Sequence, residues 1–301
     1  MDISARLSSR AGVFAISGGA ALWGTTGVVV HDLHAATGLS AVTIGCYRLL
    51  VAAAVLVALR GPDLVRLARA SGRRRGVALV LTGAGFGIYQ ALYFVGVADA
   101  GVSLATLVSI GTAPVVLTVS AAVTRRRLPS AGAFATLLCA VGGLALVSSS
   151  TSSLPGPHPV TGALAALGSG LTYAACTVVN HRLAGSADPL TLTGATCLIG
   201  GLTLLPVALV SGLGFAVDGP AMPALLYLGV LPTAVAYGLF FGGLRSTTTE
   251  VAAVLTLIEP LAATLLAAAL LGETLTLPAA VGAALLLVAV SGLYLRPVDP
   301  G

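Results

Sequence analysis

Polar residues are sparse along this 301-residue chain, and they fall at intervals that leave apolar windows of about 20 residues between them. Ten windows stand out: 11–30, 39–59, 76–97, 101–123, 131–148, 160–180, 190–210, 222–243, 250–271 and 277–295. Each is long enough to cross a bilayer as a helix. The pattern predicts an all-α integral membrane protein of ten transmembrane helices joined by short turns. The longest polar connection, SSSTSSLPGPHP (148–159), is rich in Ser and Pro. It separates a first half, 1–150, from a second, 151–301.

Charge gives the windows a direction. Arg6 and Arg10 precede span 1. Arg60, Arg66, Arg69, Arg73, Arg74 and Arg75 lie between spans 2 and 3, and Arg125, Arg126 and Arg127 between 4 and 5. Arg182, Arg245 and Arg296 follow spans 6, 8 and 10. The opposite turns carry His31, Asp32, Asp99, His158, Asp218 and Glu273 and no Arg. By the positive-inside rule both termini are expected in the cytoplasm. The opening MDISARLSSR leads into apolar sequence without an A-x-A cleavage pattern, so span 1 is expected to stay in the membrane.

The halves resemble each other. YFVGVADAGVSLATLVSIGTAPVVLTVSAAVTRRRL (93–128) aligns with LFFGGLRSTTTEVAAVLTLIEPLAATLLAAALLGET (239–274), so that Pro114 meets Pro260. GGAALWGTTGVVVHDL (18–33) aligns with GSGLTYAACTVVNHRL (168–183), matching Trp23 with Tyr173. Asp32 then falls opposite Arg182, Asp99 opposite Arg245, and Arg127 opposite Glu273. Five spans is an odd number, so a second copy is inserted upside down, and the positive-inside rule exchanges the charge at each matched turn. The prediction is two inverted five-helix repeats around a central cavity. Such repeats are typical of secondary transporters, with the substrate site near the midplane.

Composition narrows the function classes. The chain is 57% hydrophobic and 8% charged, where a soluble domain carries about a quarter charged residues. The net charge of +5 is dispersed in short turns, which argues against a nucleic-acid partner. Cys46, Cys139, Cys176 and Cys197 sit singly in apolar runs and form no CxxC, so neither a metal site nor a cofactor is expected. There is no GxxxxGK[ST] loop for direct use of ATP, and no serine elbow, HExxH or paired intramembrane Asp for an intramembrane enzyme. Rings of like charge and filter loops, which a channel needs, are lacking too. The expected partners are membrane lipid and a small-molecule substrate; no oligomeric state is implied.

The two five-span halves, the W-G of span 1 (Trp23, Gly24), and the E-P…G-E pattern running from Glu259 and Pro260 to Gly272 and Glu273 resemble the EamA branch of the drug/metabolite transporter superfamily. The resemblance covers nearly the whole chain. It implies alternating-access export of a small metabolite, such as an amino acid, an amine or a related amphipathic compound, from the bacterial inner membrane. It also implies that spans 1, 3, 4, 6, 8 and 9 line the cavity. Import remains the alternative direction. The first half departs from the pattern, with Ala113 and Arg127 where the second has Glu259 and Glu273.

Candidate residues follow. Glu259 is costly in lipid unless it is protonated, paired or turned toward a cavity. It suits a coupling proton, a cationic part of a substrate, or a structural partner such as Arg48 of span 2. Arg48 suits a substrate carboxylate, or alternatively snorkelling or backbone carbonyls. Pro260 and Pro114 kink helices, either as moving gates or as static curvature. Trp23, Tyr89, Gln90, Tyr93, Tyr173 and Tyr237 are the candidate cavity lining. Tyr227 and Tyr294, near span ends, read as interfacial aromatics. The pairs Gly83/Gly87 and Gly24/Gly27 read as helix-packing faces.

Overall fold

In lipid each backbone N–H and C=O has to be bonded within the protein, and helices do this locally. The computed structural model describes residues 3–149, 157–214, 221–270 and 276–295, and among these it contains no strand. Span 1 comprises α1 (Ile3–Gly24) and α2 (Thr26–Thr37); spans 2 to 7 are α3 (Ala41–Ala70), α4 (Arg73–Ala100), α5 (Val102–Arg125), α6 (Ala131–Ser149), α7 (Pro159–Ala184) and α8 (Pro189–Ser211). Span 8 is α9 (Ala221–Gly229), a π-helical turn Val230–Val235, and α10 (Ala236–Gly243). Span 9 is α11 (Thr249–Leu255) and α12 (Ile258–Leu270), and span 10 is α13 (Leu277–Leu295). Nine stretches of the described residues are long and apolar enough to cross a membrane, and Leu277–Leu293 is a shorter tenth. Asp218, Glu273 and Arg296 of the charge pattern lie outside the described residues, as do 150–156 of the central connection and the side chains of Arg6 and Tyr294.

Two helices overrun their apolar windows. Span 1 runs on to Thr37, where Gly38 stops it with a positive φ of 70°. The helix of span 2, α3, continues to Ala70, past a break at Arg60 (φ −130°, ψ 18°) two residues before Pro62. In that extension Leu67 is buried, and Asp63 bridges Arg60 at 3.6 Å and Arg66 at 3.2 Å. A hydropathy window measures the thickness of lipid, whereas a helix ends only where its hydrogen-bond ladder is capped. Asp188 and Ser40 show such caps: their side chains accept from the backbone N–H of Leu190 and Thr191, and of Thr43.

The spans pair in a pattern. Span 2 packs on span 7 and span 5 on span 10; span 3 packs on span 6 as span 8 does on span 1; span 4 packs on span 6 as span 9 does on span 1. Exchanging the first five spans with the last five reproduces this set of contacts.

Small residues set the closest approaches, because no hydrophobic force drives apolar helices together in lipid. Gly12 of span 1 faces Gly243 of span 8, and Gly83 of span 3 faces Gly200 of span 7. The Arg-rich end of the molecule is tightly filled by buried Val13, Ile16, Leu183, Phe241, Leu244 and Leu255. Polar ties close it further. Arg245 donates to the carbonyls of Ala184 (2.7 Å) and Ala187 (3.0 Å) around the C-terminus of α7. Arg125, at the end of span 4, pairs with Glu250, at the start of span 9, at 3.4 Å.

A Cβ at Gly243 would meet the carbonyl of Gly12 and the side chain of Ile16. Gly243→Val is therefore expected to lose about 1–3 kcal/mol through overpacking. Gly27, which has open space around it, is expected to tolerate alanine within about 0.5 kcal/mol. Thermal unfolding of the detergent-solubilised protein, followed by size-exclusion chromatography, distinguishes the two.

Candidate functional site

Three spans break their helices close to one another, and each break has a local cause. In span 9 Pro260 has no N–H to give to the carbonyl of Thr256 one turn back. The chain turns at Thr256 and Leu257, and the Thr256 carbonyl accepts instead from the N–H of Glu259 at 3.0 Å. In span 8 Pro232 likewise cannot bond the carbonyl of Leu228. That carbonyl accepts from the Thr233 hydroxyl at 2.7 Å, and the backbone widens to a π turn. In span 1 Thr25 interrupts the helix, its hydroxyl donating to the carbonyl of Leu22 at 2.7 Å. Span 4, by contrast, runs unbroken as one helix through Pro114, which is buried.

Span 1 touches the other two spans at its break. A Cβ on Gly24 would stand 2.7 Å from the Glu259 carbonyl and 2.9 Å from the Ala263 nitrogen. Only glycine lets span 1 lie so close to span 9, so the W-G and E-P motifs touch. Tyr227 donates to the Thr25 hydroxyl at 2.8 Å and bolts span 8 to the break in span 1. It is thus a helix-to-helix contact in the structure, where its position near a span end suggested an interfacial aromatic.

Beside this junction lies an aromatic cluster drawn from four spans. Trp23 is buried, with its ring 4.8 Å from Tyr237 and 5.5 Å from Phe240. Tyr237 lies 4.8 Å from Phe86, which meets Tyr89 edge-on at 5.7 Å; Tyr89 meets Tyr173 edge-on at 5.5 Å. The Tyr89 and Tyr237 hydroxyls share a hydrogen bond of 2.7 Å, so spans 3 and 8 are tied at the centre. Tyr93 stands one turn further along, bonded to the Thr106 hydroxyl of span 4 at 2.9 Å.

The two mid-span charges do not form an ion pair with each other. The Arg48 guanidinium donates to Gln90 Oε1 at 3.1 Å, and Gln90 Nε2 donates to the Phe86 carbonyl at 3.3 Å. Arg48 Nε is buried with no partner among the described residues. Glu259 lies within electrostatic reach of Arg48, Tyr89, Tyr93 and Tyr173. Glu259 is half-buried as a residue, and its carboxylate makes no hydrogen bond or ion pair among the described residues. The Trp23 Nε1 and the Tyr173 hydroxyl are buried and likewise unpartnered there, although Thr177 and Thr256 adjoin Tyr173. Unsatisfied buried donors beside a free carboxylate are the groups that would meet a polar solute.

The structure therefore gathers Trp23, Tyr89, Gln90, Tyr93, Tyr173, Tyr237, Arg48 and Glu259 into one region; Pro114 is buried on span 4, where its neighbours Ala113 and Leu117 pack in a cluster with Tyr173. Sequence reasoning missed Phe86 and Phe240, which have no polar atom to mark them, and the π turn, for which Pro232 was the available signal. Among the described residues no group of three or more His, Cys, Asp or Glu is placed to hold a metal.

The comparisons with known proteins bear on the same chain. The model of the EamA-like transporter family matches residues 10–149 and 160–295. An uncharacterized transporter of Bacillus subtilis, YwfM, is 29% identical over 84% of this chain and 83% of its own length. An uncharacterized inner membrane transporter of Salmonella typhimurium, YicL, is 27% identical over 90% of this chain and 91% of its own. A crystal structure of another protein superposes with a TM-score of 0.75 over 97% of each chain at 20% identity, which shows the fold alone.

Trp23 is the single tryptophan of the chain, so its fluorescence reports on this cluster. Its emission is expected to be blue-shifted relative to that of the denatured protein, and Tyr237→Leu, which removes the nearest ring, is expected to change both intensity and wavelength. Emission spectra of the two purified proteins in detergent check this.

Proposed function

The chain belongs to the EamA-like transporter family and is a multi-pass membrane transporter; from that premise we propose that it exports a small amphipathic metabolite, an amino acid or amine, by proton-coupled alternating access. One observation carries the reading. Glu259, on a broken helix at the contact of spans 1 and 9, is partly accessible and without a bonded partner among the described residues. A carboxylate left free inside a membrane is expensive, and a role in binding a proton or a cationic substrate group accounts for that cost. The tyrosine hydroxyls and the indole beside it suit a molecule with one polar and one apolar part. Arg48, steadied by Gln90, supplies the positive counterpart for a substrate carboxylate.

The halves 1–150 and 151–301 act as inverted repeats in this proposal. Support comes from the packing, whose partners survive exchange of the halves, and from the two separate family matches. The Arg-rich end faces the cytoplasm, by the positive-inside rule, and both termini lie on that side. The membrane is the bacterial inner one, where the Salmonella relative's name also puts it. The conformation described is then closed toward the cytoplasm, and the Arg125–Glu250 pair that joins spans 4 and 9 is part of that closure. Opening requires this contact to part, and the break at Thr256 and Leu257 provides a hinge in span 9.

The test is metabolite accumulation in the medium of cells expressing the wild-type chain, Glu259→Gln, or neither. One amino acid or amine is expected to rise with wild type alone, and its efflux is expected to depend on external pH in wild type and not in the variant. Equal media from all three, with the protein shown in the membrane, overturn export. Flux and pH dependence that survive Glu259→Gln overturn the coupling role. Separately, Arg125→Gln is expected to shift the equilibrium toward the cytoplasm-open form. A cysteine placed at the buried position Leu255 in a background lacking the four native cysteines is expected to react faster with a cytoplasmic maleimide once Arg125 is replaced.

A further inference from the structure

At the Arg-rich end, on the flank where α4 packs against α7, a groove of about 230 Å³ opens. Its mouth carries Arg74 and Arg182, and its wall is Val77, Ala78, Leu81, Val179 and Leu183. Arg74 and Arg182 are exposed, and neither makes an ion pair or hydrogen bond among the described residues. Several other arginines of this end are engaged: Arg60 and Arg66 pair with Asp63, Arg125 with Glu250, and Arg245 with the backbone of the α7 C-terminus, whereas Arg73 and Arg75 are, like Arg74, exposed and unpaired among the described residues but do not line the groove. Val77 and Leu81 are half exposed or more, one turn apart on the same face of span 3, at 50% and 62%. Two free guanidiniums thus stand at the headgroup end of an apolar track that runs into the membrane.

We propose that this groove is a binding site for an anionic phospholipid of the cytoplasmic leaflet. The two guanidiniums take the phosphodiester, and one acyl chain lies along Val77, Leu81 and Val179. The charge complementarity names the occupant. A zwitterionic lipid brings its own cation to the phosphate, whereas an anionic headgroup leaves the phosphate for the arginines, and basic pockets between helices on the cytoplasmic side favour such lipids. Because the groove joins span 3, which carries Tyr89 and Tyr93, to span 6, which carries Tyr173, a lipid seated there braces two walls of the aromatic cluster. The inference rests on the groove, its charges and the orientation proposed above, and does not depend on the transport reading.

The experiment uses the full chain in mild detergent, titrated with dioleoylphosphatidylglycerol, dioleoylphosphatidylcholine or inorganic phosphate, and read by native mass spectrometry and by the thermal midpoint. The phosphatidylglycerol is expected to give a saturable adduct and a raised midpoint, and the phosphatidylcholine and inorganic phosphate neither. Arg74→Gln with Arg182→Gln is expected to weaken half-saturation about tenfold to thirtyfold, while Arg126→Gln with Arg127→Gln, equal in charge removed, leaves it unchanged. Leu81→Trp, which fills the track and keeps both arginines, is expected to weaken the lipid as well. Equal binding of phosphatidylcholine overturns the charge argument, full binding by the Arg74/Arg182 double variant overturns the site, and a midpoint raised by inorganic phosphate alone overturns the lipid in favour of a free-anion site.

Discussion

Hydrocarbon offers a backbone carbonyl nothing to bond with, so a helix that crosses it can break only where the protein itself repairs the gap. In this molecule the repairs lie together. The Leu22 carbonyl is met by the Thr25 hydroxyl, the Leu228 carbonyl by the Thr233 hydroxyl, and the Thr256 carbonyl by the N–H of Glu259. The helices of spans 1, 8 and 9 are therefore interrupted in the same neighbourhood, where Gly24 lies against the Glu259 backbone and Tyr227 against Thr25. Thr and Pro, ordinary residues in membrane helices, do here what loops do in soluble proteins: they aim side chains inward at a chosen depth.

What is aimed inward is chemically mixed. Phe86, Phe240 and the ring faces of Trp23 and Tyr237 give apolar area, and the Tyr89–Tyr237 hydroxyl pair gives a polar seam through it. The two charges are treated differently. Arg48 is tethered through Gln90 to the carbonyl of Phe86, a fixed arrangement running from span 2 into span 3. Glu259 is not tethered by its side chain among the described residues, and it sits on the span that is divided at Thr256 and Leu257. A tethered cation and an untethered carboxylate thus lie within electrostatic reach of each other.

Much of the fold was legible because lipid imposes one rule on every span. The ten apolar windows fall on the ten helical spans, and the Arg-bearing turns fall at one end of each. The overruns at Thr37 and Ala70 were not legible, since a capped helix continues through polar residues that a hydropathy window excludes. At the site, Trp23, Tyr89, Tyr173 and Tyr237 were conspicuous because aromatics are scarce, at 5% of residues. Phe86 and Phe240 were not, because an apolar ring in an apolar helix carries no mark of whether it faces lipid or protein. The asymmetry between the two prolines was hidden for a related reason. Pro114 and Pro260 occupy matched positions, yet only span 9 divides into two helices, so the matched sequence did not say which helix would break.

The sequence by itself determined what depends on position along the chain: how many times it crosses, which turns carry the positive charge, and where a carboxylate and a proline interrupt a span. Those follow from the one-dimensional rules of lipid thickness and charge retention. Only the tertiary structure decided what depends on contact between spans far apart in sequence. It turned Arg48 to Gln90 and not to Glu259, joined Tyr89 to Tyr237, and set Gly24 on the Glu259 backbone. The physical reason is that hydrogen bonds and glycine-level approaches are settled within a few tenths of an ångström by helix crossing and rotation, and a single chain of residues carries no measure of either.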